Sequence, residues 1–129
     1  METDFVIHCL YECEKVIPII KYFETFLQTK CGLNVNLELV PYMFGFPLNS
    51  DYTAGLNHSV LELKIFIFYS LNDNLTTEQS FAIFLKILER LIIKEKHIAL
   101  QNDKYECFEE KWADFRHGVY DFNGPDPLL

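Results

Sequence analysis

A histidine and two cysteines near the start of the sequence come closest to the spacing of a metal site. Cys9 and Cys13 are separated by three residues, and His8 directly precedes the first of them. Zinc ligands commonly come in pairs two to four residues apart, so this group fits the pattern loosely. A strand here would point His8 and Cys9 to opposite faces, and a second pair of ligands is lacking. We therefore predict no metal site, because the remaining candidates stand alone: His58, His97, Cys107 and His117.

The C-terminal part of the chain contains the side chains for general acid–base catalysis. An acid–base pair is conceivable among Asp114, His117 and Asp121. Alternatively, Trp112 packs in the core while Asp114 and His117 lie in solvent or at a helix end, and no catalytic role is needed. Glycine-rich phosphate loops, the GxSxG elbow and the HExxH motif do not occur in the sequence. We therefore predict no catalytic residue, no cofactor and no enzymatic activity.

The acidic residues of the C-terminal part favour a surface for a protein partner. At helical spacing, Glu106, Glu110 and Asp114 share one side, next to Tyr105 or Tyr120. Carboxylates around aromatic anchors suit a basic partner, because charge steers the encounter and the rings supply affinity. A solvated helix face is the alternative explanation. The candidate partner-binding residues are Tyr42, Phe44, Phe46, Asp51 and Tyr52, followed by Glu106, Glu110, Asp114, Tyr120 and Asp121.

The composition is that of one globular domain with a strong negative charge. The chain has 129 residues, of which 50% are hydrophobic and 16% aromatic, and we expect a single compact domain with a loose tail from about residue 121 to 129. The net charge is −8, and the last 27 residues contribute −4 of it, from 7 acidic and 3 basic residues. This charge argues against nonspecific binding to nucleic acid and to anionic membranes.

The cysteines and the apolar runs bear on the cellular compartment. The 4 cysteines could form two disulfides, but a full core and the lack of a secretory signal favour free, buried thiols in the cytoplasm. No apolar run reaches the roughly 18 residues that a membrane span requires. We therefore expect a cytoplasmic protein with no membrane segment.

Two helices are predicted from apolar residues that recur every three or four positions. The first covers about residues 14–30, with Pro18 in its first turn and Gly32 after its end. The second covers about residues 76–96, and Thr76 with Gln79 fits a capping box.

Strands are predicted between and around these helices. Alternating apolar residues indicate a strand over 4–10, with a helical start as the alternative, and a half-exposed strand over 33–40 that Pro41 ends. Residues 41–59 contain two prolines and two glycines, which predicts a long irregular connection, part of which could pair as a short strand. A strand at 97–101 followed by a C-terminal helix is preferred over a β-hairpin.

The run VLELKIFIFY, residues 60–69, is apolar at both odd and even positions. A strand that is apolar on both faces belongs in the middle of a covered sheet. The element order then predicts an α+β fold, with a mostly antiparallel sheet covered by helices. The first six elements match a ferredoxin-like βαββαβ arrangement, and a C-terminal helix follows them.

In size, charge, reduced cysteines, aromatic content and lack of catalytic motifs, the chain resembles small bacterial immunity proteins. The resemblance implies a non-catalytic module that binds a basic, nuclease-type toxin and occludes its active site, with acidic residues mimicking the substrate of the toxin. Two alternatives remain: a small assembly subunit of a phage or secretion apparatus, and a small ligand-binding or enzymatic α+β domain. The oligomeric state is left open.

Overall fold

The computed structural model describes residues 6–47, 52–70 and 73–124, and helices account for 71% of them. Within these residues, a π-helical segment, His8–Glu12, is followed by five α-helices and a 3-10 turn. The helices are α1 Ile17–Thr29, α2 Leu39–Phe44, α3 Tyr52–Ser70, α4 Thr77–Gln101 and α5 Tyr105–Trp112, and the turn is Ala113–Phe115. The described residues contain no strand and no sheet, so the predicted α+β, ferredoxin-like fold is wrong.

The run at 60–69 lies in helix α3, which begins at Tyr52 within the segment that was expected to be irregular. The buried residues of this helix include Leu56, Val60, Leu63 and Ile67, which recur every three or four positions. A short run that is apolar all round fits a buried strand and a helix equally well. Here the apolar stripe continues toward the N-terminus in helical register, and the helix prevails.

Residues 32–38 form neither a helix nor a strand. The predicted alternation is present, because Leu33 and Leu37 are buried and Asn34 and Asn36 are exposed. Side chains satisfy the backbone of this segment: the carboxylate of Glu24 accepts from the Leu37 N–H at 2.6 Å, and the Tyr11 hydroxyl donates to the Leu37 carbonyl at 3.0 Å. With these partners the segment needs no neighbouring strand. Residues 39 and 40, predicted to end the strand, instead begin α2, and Pro41 lies inside that helix.

The two terminal strand predictions are also wrong. Residues 6–12 are helical, as the alternative had it, and residues 4 and 5 lie outside the described residues. Residues 97–101 are the last turn of α4, where Ala99 is buried. The chain turns only at Asn102 and Asp103, the latter with a left-handed φ of 57°. The side-chain amide of Asn102 donates to the Ile98 carbonyl at 2.9 Å, which supports this end of the helix.

Both helices predicted from periodicity are confirmed. In α1 Pro18 lies in the first turn, and Phe23 and Leu27 are fully buried. In α4 both bonds of the predicted capping box are present: the Thr76 hydroxyl accepts from the Gln79 N–H at 3.1 Å, and the Gln79 side chain accepts from the Thr76 N–H at 3.0 Å. The capping box and the apolar periodicity indicate the same helix, and both depend only on residues close together in the sequence.

Helix α4 lies at the centre of the fold and contacts α1, α3 and α5. Aromatic rings fill the two ends of the core. Phe23 and Phe84 meet edge-to-face between α1 and α4 at 5.4 Å, and Trp112 meets Phe115 edge-to-face at 5.4 Å. Phe122 is 1% exposed and packs against Phe108, while residues 125–129 lie outside the described part of the chain. Among the described helices, none is both long and apolar enough to cross a membrane.

Candidate functional site

The acidic residues of the C-terminal part are divided between two environments. Glu106 and Glu110 lie one turn apart on the exposed side of α5 and form an acidic pair. Asp114 is half-buried, and burial raises the pKa of its carboxyl group. Asp121 is exposed and accepts from the Arg116 guanidinium at 3.1 Å, which lowers the pKa of Asp121. Of the four carboxylates predicted in the C-terminal part, Glu106 and Glu110 therefore face solvent on one side of α5.

The predicted aromatic residues are mostly turned inward. Tyr42 is 0% exposed and Tyr120 is 6% exposed, so an anchoring role on the surface is wrong for both of them. Their rings fill the core because α2 and the C-terminal segment pack against the helices. Phe46 is half-buried, and the Asn57 side chain bonds both its N–H and its carbonyl at 2.7 and 2.9 Å. Phe44 is 83% exposed.

Two predicted residues, Asp51 and Tyr52, fall at or just before the start of the second described range, residues 52–70. Tyr52 is the first residue of α3, and Asp51 lies outside the described residues.

An exposed apolar surface lies on α3, where the sequence had predicted the centre of a sheet. Leu61, Ile65, Phe68 and Tyr69 are between 43% and 80% exposed, and we call these four residues the outer face. They recur at four- and three-residue steps, so they lie on one side of the helix, opposite its buried stripe. The rings of Phe68 and Tyr69 meet edge-to-face at 5.3 Å.

A shallow groove of about 460 Å³ runs beside the outer face. Met43 of α2 and Leu10 of the π-helical segment line its other side. The charged group in the groove is Lys64, whose ammonium donates to the Met43 carbonyl at 3.1 Å and lies 5.7 Å from the centre of the Tyr42 ring. Burial lowers the pKa of Lys64. The groove is therefore apolar, open and positively charged at one point.

A polar cluster joins α3, α4 and α5 where the three helices meet. The Glu95 carboxylate accepts from the Trp112 indole N–H at 3.0 Å and from the Lys111 ammonium at 3.1 Å. His58 Nδ1 lies 2.9 Å from the Lys111 ammonium and 3.3 Å from Glu95, and His58 Nε2 lies 3.8 Å from Glu62. Burial and the charge of Lys111 lower the pKa of His58, so the neutral ring accepts from Lys111 at neutral pH.

This polar cluster is bonded to the core on one side, although the side chains of His58, Glu95 and Lys111 are still 25–28% exposed. Glu95 bonds the indole of Trp112, a fully buried side chain, and it also pairs with Lys111. These bonds connect side chains of three helices and help to hold them together. We assign the cluster to the structure of the three-helix junction.

The residues that first suggested chemistry are not assembled into sites. No hydrogen bond connects Asp114, His117 and Asp121, and Asp121 bonds Arg116 instead. Among the described residues, no group of three histidines, cysteines or carboxylates is placed to hold a metal ion. All four cysteines are free thiols: Cys31 is buried, with its pKa raised to about 12 by burial, and Cys107 is exposed.

The comparisons with known proteins give no relative. No family model matches the chain, and no curated protein or solved structure is significantly similar to it.

Proposed function

We propose that this chain is a non-catalytic protein-binding module that docks through the outer face of α3. The partner class that fits best is a basic toxin domain of the nuclease type, which the chain neutralises by covering its active site, as bacterial immunity proteins do. The observation that supports the proposal most strongly is the exposure of Phe68 and Tyr69, 63% and 80%, beside Leu61 and Ile65 on one helix face.

The energetic argument starts from the cost of exposing apolar surface. Burial of apolar area contributes about 25 cal/mol per Å² of favourable free energy. Four large side chains that remain partly in solvent therefore leave several kcal/mol available for binding. Single exposed apolar residues are common, but a contiguous patch on one helix face is typical of an interaction site. Aromatic side chains at the centre of an interface commonly supply most of the binding energy.

The charge of the protein supports a basic partner. The net charge is −8, and Glu106 and Glu110 face solvent on α5. A negative field of this size accelerates encounter with a basic domain and weakens as salt screens it. Apolar anchoring and long-range steering are then supplied by different residues, which makes them separable by mutation.

The test is a binding assay with a basic toxin domain encoded next to this chain, at several salt concentrations. We expect saturable binding whose association rate falls with salt. Phe68→Ser is expected to weaken binding by at least tenfold, since buried aromatic anchors contribute about 2 kcal/mol or more. Ile83→Ser is the matched control, because Ile83 is likewise exposed, to 43%, but lies on α4 and does not line the groove beside the outer face.

Three outcomes contradict the proposal. Equal loss of affinity in both variants removes the outer face as the docking site. Failure of the wild-type chain to bind the domain, or to protect cells that express it, removes the toxin-neutralising function. Rings or filaments that form with rising concentration, and that Phe68→Ser abolishes, identify an assembly subunit instead, in which the outer face pairs with another copy.

A further inference from the structure

We propose that the groove beside the outer face binds an amphipathic helical segment of the partner that places a carboxylate on Lys64. This inference deepens the proposed function and rests on it, because it names the chemistry that the docking surface recognises. It follows from three properties of the groove, namely its shape, its apolar lining and the state of its lysine.

The shape of the outer face suits a helix. Leu61, Ile65 and Tyr69 follow one another at steps of four residues, the spacing of side chains that form a ridge on a helix surface. The eight residue-to-residue steps from Leu61 to Tyr69 span about 12 Å at 1.5 Å per step, which corresponds to roughly two turns of a docked helix. A helix whose apolar residues repeat at the same interval fills the groove between this ridge and Met43.

The lysine supplies the charge that selects the occupant. One of its three donor hydrogens is used by the Met43 carbonyl, and the Tyr42 ring lies on another side. Neither partner carries a negative charge, and no ion pair joins Lys64 to a carboxylate in the part of the chain that the structure describes. Lys111, which is also half-buried, has the Glu95 carboxylate at 3.1 Å. Lys64 is therefore a half-buried cation in apolar surroundings without its counter-charge.

An anionic side chain from a partner corrects this imbalance. Burial disfavours the charged form of Lys64, as the lowered pKa indicates, and a carboxylate in the groove restores its stability. A charge-assisted hydrogen bond in a site that excludes water is stronger than one between neutral groups. A second copy of the chain fits less well, because it also carries −8 and because Glu62, the carboxylate beside its outer face, already faces His58.

The experiment measures the affinity of fluorescent helical peptides for the full chain. The probe is a peptide of roughly 15 residues with leucines on one face and one central glutamate, and matched peptides carry glutamine or lysine at that position. We expect the glutamate peptide to bind about tenfold more tightly than the glutamine peptide, as one charge-assisted hydrogen bond predicts. The lysine peptide is expected to bind most weakly.

Variants of the protein assign the preference to Lys64. Lys64→Met keeps the aliphatic stem and is expected to remove the preference for glutamate, and Lys64→Arg is expected to retain it. Lys86→Met is the matched control, because the Lys86 side chain is 73% exposed on α4, and it should leave the preference unchanged. Phe68→Ser is expected to weaken the binding of all three peptides.

The results separate this inference from the proposed function. If the glutamate and glutamine peptides bind with equal affinity, and Phe68→Ser weakens the binding of both, the role of Lys64 is overturned but the outer face remains the docking site. A preference for glutamate that persists in Lys64→Met also overturns it. If none of the peptides binds, or if Phe68→Ser has no effect, the outer face is not a site for helices.

Discussion

Gly55 of α3 lies directly against the backbone of α5. A Cβ added there would collide with the carbonyl oxygen of Lys111 and would lie 3.3 Å from its carbonyl carbon and 3.4 Å from Cε3 of Trp112. The obstacle is backbone, so no side-chain rotation relieves the contact. Gly55→Ala therefore forces the two helices apart at a point where Trp112 is fully buried.

The size of the effect follows from two opposed contributions. In an open helix, replacing glycine by alanine stabilises the fold by about 1 kcal/mol. Overpacking a tight core position costs about 1–3 kcal/mol, and a collision with backbone lies at the upper end or beyond it. We expect Gly55→Ala to lower the free energy of unfolding by about 1–3 kcal/mol. For a chain of this length that corresponds to a fall in Tm of roughly 4–12 °C.

The assay is urea unfolding followed by circular dichroism, together with a thermal scan. Ala54→Gly is the control for helix propensity, because Ala54 is the exposed neighbour of Gly55 in the same helix, and it should cost about 1 kcal/mol. A Gly55→Ala protein that is as stable as wild type, or more stable, would refute the close packing of α3 on α5.

Three further predictions concern buried polar groups. Tyr42→Phe is expected to raise the unfolding free energy by about 1 kcal/mol, because the buried Tyr42 hydroxyl has no hydrogen-bond partner among the described residues, and a loss of stability in urea unfolding would contradict this. Glu95→Ala is expected to lower the unfolding free energy by about 2–4 kcal/mol, because it leaves the Trp112 indole N–H buried without an acceptor and Lys111 without its carboxylate. An unchanged urea midpoint would contradict the structural role of the polar cluster. His58 has a folded-state pKa below its ordinary value of 6.5, so the stability that its neutral form contributes is present above pH 6.5 and is lost as the pH falls through the folded pKa. His58→Gln is expected to flatten the dependence of the unfolding free energy on pH in that window. Equal slopes for the wild type and His58→Gln would contradict this prediction.

Helices with one apolar face and a local end signal were predictable from the sequence. In α4 the Thr76–Gln79 capping box and the stripe through Phe84 and Leu88 point to the same element, and the helix forms where both agree. In α1, Pro18 and the stripe through Phe23 act in the same way. Local propensity, capping and burial are consistent in these segments, which is why short-range reasoning succeeds there.

The central error came from α3, which is apolar on both sides. Its inward side is covered by the core, and its outward side is the exposed outer face. In a sequence both sides look alike, since only the tertiary structure decides which one is covered. The regular spacing of Leu56, Val60, Leu63 and Ile67 was the signal for a helix, and it becomes visible only when the segment is extended toward its N-terminus.

The acidic pair on α5 was predictable from the sequence, whereas the outer face of α3 was not. Glu106 and Glu110 face solvent as their helical spacing predicted, because α5 buries Phe108 and Trp112 on its other side. The rings of Tyr42 and Tyr120 were assigned to the surface, but packing of α2 and of the C-terminal segment turns them inward. Residue type alone does not distinguish a ring that fills the core from one that meets a partner.

Hydroxyl-radical footprinting of the free chain and of its complex with the basic toxin domain tests the docking surface most directly. Phe68, 63% exposed, and Tyr69, 80% exposed, should be oxidised in the free protein and protected in the complex. Tyr22, 43% exposed on α1, should be oxidised equally in both. Protection of Tyr22 with continued oxidation of Phe68 and Tyr69 would contradict the assignment of the outer face as the site where the partner binds.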